Sequence, residues 1–175
     1  MTITLQRLGA ATITVLAMSA PAYAGPSPSD VPAELVPPAG NKVFLVAHAA
    51  GWQIYRCDPG NAWTLVAPSA TLYGQNGKLL GTHSAGPSWQ TRDGSVVTAT
   101  KEREAAVDPT AVNWLLLKQK TSAAGADGAR LQDTTWIQRI NTVGGRAPAA
   151  AECDVVGETA QVPYEADYYF WKGSS

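Results

Sequence analysis

Val43-Phe44-Leu45-Val46-Ala47-His48 and Trp52-Gln53-Ile54-Tyr55-Arg56-Cys57, separated by Ala49-Ala50-Gly51, form the stretch that decides the fold class. Both runs carry the β-branched and aromatic residues that suit a pleated, half-buried surface, and the small residues between them favour a turn. The reading is a strand, a hairpin connection at 49–51 and a second strand. The pattern continues outward. Trp63 to Val66 and Ala70 to Tyr73 read as strands interrupted by Pro68, and Gln75-Asn76-Gly77 supplies the N-G signal of a tight hairpin before Lys78 to His83 returns. Trp89 to Thr91 and Ser95 to Thr100 flank Arg92-Asp93-Gly94, a second hairpin with a D-G turn.

Further along, Lys101-Glu102-Arg103-Glu104 reads as a solvated face, and Asp108-Pro109 can cap one helical turn, since Asp accepts N-terminal amides and Pro suits the first turn. Trp114-Leu115-Leu116-Leu117 lacks helical periodicity. A Gly-rich stretch from Thr121 to Gly128 then leads into Thr134 to Thr142, closed by Gly144-Gly145, and Tyr164 to Trp171 is a final aromatic strand. Roughly one strand per 8–12 residues, with no sustained amphipathic helix, predicts an all-β antiparallel sandwich or barrel of short strands. At most one short helical turn is expected, near 108–113. Trp52-Gln53, Trp89-Gln90 and Trp136-Ile137-Gln138-Arg139 recur on expected strands, so a β-trefoil-like arrangement is the alternative. Of the six tryptophans, Trp52, Trp63, Trp114 and Trp136 are assigned to packing, and Trp89, beside Gly86-Pro87, is the exposed candidate.

The chain opens on a weakly basic Met1 to Arg7, an apolar Leu8 to Met18 and the small-x-small Ala22-Tyr23-Ala24, the pattern of a signal peptide over 1–24 with cleavage after Ala24. Pro21 interrupts the apolar run before the ~20 residues of a membrane span. The expectation is a periplasmic or secreted product with no membrane span in the mature protein. Residues 25–40 form a Pro-rich leader, with Pro26, Pro28, Pro32, Pro37 and Pro38, and 41–175 a single β-rich domain. A chain of 175 residues can bury a true core without several staples. Thirteen basic against 14 acidic side chains, net −1, leave no basic surplus, so nucleic acid is not an expected partner.

Cys57 and Cys153 are the two cysteines, and in an oxidising compartment they are expected to pair. The alternatives are a thiolate at Cys57 activated by Arg56 and a metal site. The latter lacks C-x-x-C spacing, and His48 and His83 provide no H-x-x-x-H. No metal and no cofactor are therefore expected.

Gly51-Trp52-Gln53-Ile54-Tyr55-Arg56-Cys57, Ala70-Thr71-Leu72-Tyr73, Gly81-Thr82-His83-Ser84-Ala85-Gly86-Pro87-Ser88-Trp89 and Asp93-Gly94-Ser95 form a distinctive ordered series. The series resembles the family catalogued as domain of unknown function 3455, of exported bacterial and fungal proteins. Trp114 to Leu117, Ile137 to Thr142 with Gly144-Gly145, Cys153, and Val162-Pro163-Tyr164 with Tyr168 to Trp171 fit it too, so the resemblance runs from about Pro32 to Trp171. It implies architecture and secretion, and no activity.

Two functional readings follow from the residues. In the first, an exported non-catalytic β-domain of the cell envelope binds a small-molecule, glycan or envelope ligand through the loop from His83 to Ser95. There a histidine, an aromatic and an acid converge: His83, Trp89 and Asp93. The alternative is a small secreted hydrolase using His83 with Asp93 or a nearby serine, Ser84 or Ser88. Against it, no G-x-S-x-G elbow is present. The non-catalytic reading is preferred.

Overall fold

A computed structural model describes residues 30–174. The expected signal peptide, the expected cleavage after Ala24 and the first part of the leader lie outside the described residues. Eight antiparallel strands run in chain order: β1 (Asn41–Asp58), β2 (Ala62–Gly74), β3 (Leu79–Ser84), β4 (Ser88–Thr91), β5 (Val96–Ala105), β6 (Trp114–Ala123), β7 (Trp136–Gly144) and β8 (Thr159–Gly173). Each pairs with the next, and β1 pairs with β8, so the meander closes into a barrel. Closure removes the sheet edges, and the all-β barrel expectation holds. The trefoil alternative does not, because the strands that carry the tryptophan recurrence, β1, β4 and β7, belong to a single ring of eight in which each strand pairs with the next.

Three sequence expectations need correction. The hairpin at 49–51 does not exist: β1 runs through it, paired on both sides, with Ala49 against Leu72 and Gly51 against Ala70. Ala47 and Ala49 are fully buried. A Cβ on Gly51 would stand 2.2 Å from the Ser69 carbonyl oxygen, so the glycine marks a close approach of two strands rather than a turn. Likewise Pro68 does not divide β2, because the register slips between Ile54 and Tyr55, where β2 bulges beside the proline. Nor is the turn expected near 108–113 helical: it is one hydrogen-bonded turn, with Ala111 N–H on the Asp108 carbonyl and Thr110 N–H on the Asp108 carboxylate. The short 3-10 turns lie instead at Ala33–Leu35 and Ala150–Glu152.

Side chains alternate across the wall, as a period of two requires. Leu72, Trp89, Val97, Leu117, Ile137, Tyr168 and Phe170 fill the inside, while His48, Arg56, Lys118, Glu165 and Asp167 stand on the outside. A barrel facing lipid shows the reverse pattern. No helix among the described residues is long and apolar enough to cross a membrane.

The two ends of the barrel differ. At the lower end, where β1 begins, the connection from β6 to β7 folds inward and inserts Leu131, 0% exposed, into the core. At the upper end Cys57 and Cys153 form a disulfide, with Cα atoms 5.2 Å apart, joining the end of β1 to the β7–β8 connection. The expected pairing is thus present. The leader is not a loose arm over its described part: Leu35 is fully buried, and its carbonyl accepts from Gln138 Nε2 at 2.8 Å. Gln138 shares an outward row with Leu116 and Tyr169. These three are buried because the leader lies over them.

Candidate functional site

With the lower end plugged, the barrel offers space at its upper end. A cavity of ≈ 290 Å³ opens there, and all eight strands contribute to its lining. His83, Trp89 and Tyr168 line its inner part; Gln53, Leu115, Leu117 and Arg139 line its sides; Leu65, Val66, Ala85 and Gly86 form an exposed rim.

His83 faces inward from β3 directly opposite Trp89 on β4. The rings stack at 4.5 Å and 8°, and the Tyr168 ring meets both edge-on, at 5.0 and 5.3 Å. Such pairs prefer these offset and edge-to-face arrangements. His83 Nδ1 lies 2.9 Å from the Ser88 carbonyl, so Nδ1 carries the proton and donates. Burial drives the imidazole pKa down to about 4, so the ring is neutral at physiological pH.

Arg139 reaches the same space from β7. It pairs across the sheet with Leu115 and Tyr168, on a row that continues from Leu115 to Glu104 on β5. Its Nε and Nη2 both donate to the Asn113 carbonyl, at 3.2 and 2.7 Å. Among the described residues no carboxylate lies within ion-pair distance of it. The nearby Glu104 is committed to Lys101 and Asn113. Tyr164 and Tyr168 share a hydroxyl contact of 2.5 Å, and burial raises both phenol pKa values. Two residues of the cavity lining each carry a buried polar atom with no hydrogen-bond partner among the described residues: Gln53 Oε1 and Trp89 Nε1. Both side chains are 1% exposed. Buried polar groups are normally satisfied, so two orphans on one cavity call for a physical reason.

Residues 38–172 match the family described as "Protein of unknown function (DUF3455)". The chain belongs to that family. No curated protein and no solved structure matches it. For this DUF3455 chain the structure therefore carries the functional argument.

Of the three residues singled out from sequence, the structure brings two together and separates the third. His83 and Trp89 are in contact, but Trp89, expected to be exposed, is 1% exposed. The segment from His83 to Ser95 is not a single loop: His83, Ser84 and residues 88–91 belong to β3 and β4, whose alternation turns Trp89 inward. The exposed tryptophan is Trp52, at 43%, on the outward row of β1, contrary to its assignment to packing. Asp93 lies in the β4–β5 turn, at the other end of β4 from His83. Its carboxylate accepts from Thr91 Oγ1 at 2.6 Å, Ser95 Oγ at 2.7 Å and the Arg130 N–H at 2.9 Å. Those bonds, the Thr91 hydroxyl first, hold its pKa well below the usual carboxylate range. Asp93 thus fastens the turn to the loop that plugs the lower end. Gln53, Arg139, Tyr164 and Tyr168 were missed as site residues. A signal existed for Arg139 and Gln53, since each is a polar side chain at an inward position of an apolar run.

Proposed function

We propose that this protein is an exported, non-catalytic binding domain, periplasmic or secreted, that receives a small ligand in the upper mouth of its barrel. The observation that carries the reading is the cavity itself: one open end, a largely apolar lining to which all eight strands contribute, and two lining residues that each carry a buried polar atom without a hydrogen-bond partner. Eight-stranded barrels are just wide enough to hold one small ligand, and a mostly apolar concavity with a few convergent polar groups is the usual form of a binding site. The Cys57–Cys153 disulfide and the charged outer wall support a place outside the cytoplasm and in water. His83 and Trp89 belong to the site; Asp93 belongs to the scaffold. The hydrolase reading draws no support from the geometry, because His83 is bonded to a carbonyl and Asp93 to a different turn.

The test is a thermal-shift panel of hexyl to decyl acids, amides and alcohols and of phenylpropanoids, run on the wild type and on Leu115→Trp, which fills the cavity. Ligands that bind the folded state raise the melting temperature. The reading predicts a rise for at least one class in the wild type and none in Leu115→Trp. Flat responses throughout, or a rise that survives the substitution, would overturn it.

A further inference from the structure

We infer that the cavity is a site for a small monocarboxylate, its carboxylate met by Arg139 and the Trp89 indole N–H and its apolar body lying against Leu115, Leu117 and the His83–Trp89 stack. The inference rests on the reading of the cavity as a binding site and names the ligand class. Three observations carry it.

The first is charge. Arg139 donates to neutral acceptors, the Asn113 carbonyl and the tyrosine hydroxyls, and it shares the one nearby carboxylate, Glu104, with Lys101. Two cations against one carboxylate leave a positive excess that is costly where it is half-buried, and a guanidinium matches a planar carboxylate in two-pronged geometry. Lys101, the other cation on the lining, is already paired with Glu104 at 2.9 Å. His83 is neutral at physiological pH. One unmatched positive charge suits one negative charge, where a phosphate monoester would bring nearly two.

The second is hydrogen bonding. Trp89 Nε1 is a donor without an acceptor, and Gln53 presents an amide whose half-turn exchanges its N–H and oxygen positions. A carboxylate offers an acceptor to the Trp89 indole and the Gln53 amide, and a charged one to Arg139, whose hydrogen-bond acceptors are neutral. The third is size. A space of ≈ 290 Å³ holds about ten non-hydrogen atoms if each takes roughly the ~30 Å³ share of a water. Octanoate has that many, with one charged end and one apolar end.

The test is calorimetric titration of the disulfide-intact protein with octanoate, octanamide and octylamine. The inference predicts that octanoate binds in 1:1 ratio at least about tenfold tighter than octanamide, and that octylamine does not bind, since a charge-assisted bond is worth about ten- to a hundredfold. Arg139→Gln should weaken octanoate about ten- to a hundredfold and leave octanamide unchanged. Gln53→Glu, nearly isosteric, supplies a carboxylate from the wall and should abolish octanoate binding too; it decides the matter if Arg139→Gln does not fold. Equal affinities for octanoate and octanamide, or octanoate binding indifferent to both variants, would overturn the carboxylate assignment while leaving the cavity reading standing. Binding by none of the three, together with a flat thermal-shift panel, would overturn both.

Discussion

Replacing His83 by glutamine should remove a specific pH dependence of stability. In the unfolded chain an imidazole takes up a proton as pH falls through its ordinary value of 6.5, whereas burial keeps His83 neutral in the native barrel down to about 4. Between those values the unfolded state binds the extra proton, so stability is full above the window and falls as pH falls across it. At about 1.36 kcal/mol per pH unit, the full window amounts to ~3 kcal/mol, an upper figure for a side chain this deeply packed. Carboxylates held low by their partners lose their contribution as pH falls below their own ordinary values, Glu104 from 4.5 and Asp58, Asp93 and Asp108 from 3.8, so they add only at the acid edge of the histidine window and affect wild type and variant alike. Glutamine retains an N–H to offer the Ser88 carbonyl and does not titrate. Urea unfolding at several pH values from 7 down to 4, disulfide intact, gives the two profiles. The variant is expected to start less stable and to show a flatter slope between pH 6.5 and 4. A variant profile parallel to that of the wild type would refute the assignment of a buried neutral histidine.

Three further outcomes are expected. Reducing the Cys57–Cys153 disulfide, which spans a sequence separation of 96, should cost about 4–5 kcal/mol on the chain-entropy model, read as a lower urea midpoint in reductant. Asp93→Ala should lower stability by about 2–4 kcal/mol through loss of its charge-assisted bonds and leave octanoate affinity unchanged in calorimetry, separating this residue from the ligand site. Leu35→Ala should cost about 2–5 kcal/mol in thermal or urea unfolding, because the fully buried side chain pins the leader on the outer wall.

The turns were legible in the sequence wherever glycine sits in a positive-φ position with a hairpin on either side: Gly77 at φ 73° and Gly94 at φ 80° close the two hairpins their N-G and D-G dipeptides announce. The disulfide was legible from compartment and count. The continuity of β1 was not, because Ala49-Ala50-Gly51 reads as turn chemistry while Ala47, Ala49 and Gly51 form the small inward row that makes room for the aromatic core. Local composition cannot separate those uses; strand pairing on both sides decides between them. Of the site, His83 and Trp89 were legible as residue types, and their depth was not, since alternation within a strand of only four residues is too short to fix a face from sequence. Arg139 was within reach, because Leu115 and Leu117 on one strand and Ile137 on the next are apolar partners along the row it enters.

The account stands or falls on where a ligand sits, and the indole N–H signals of the tryptophans report this directly by nitrogen-edited NMR, assigned through Trp89→Phe and Trp52→Phe. With octanoate and octanamide titrated in parallel, the Trp89 signal should move on saturation with octanoate, far less with octanamide, and the Trp52 signal on the outer wall should stay in place. Movement of Trp52 with Trp89 unchanged would place binding on the outside of the barrel and contradict the account.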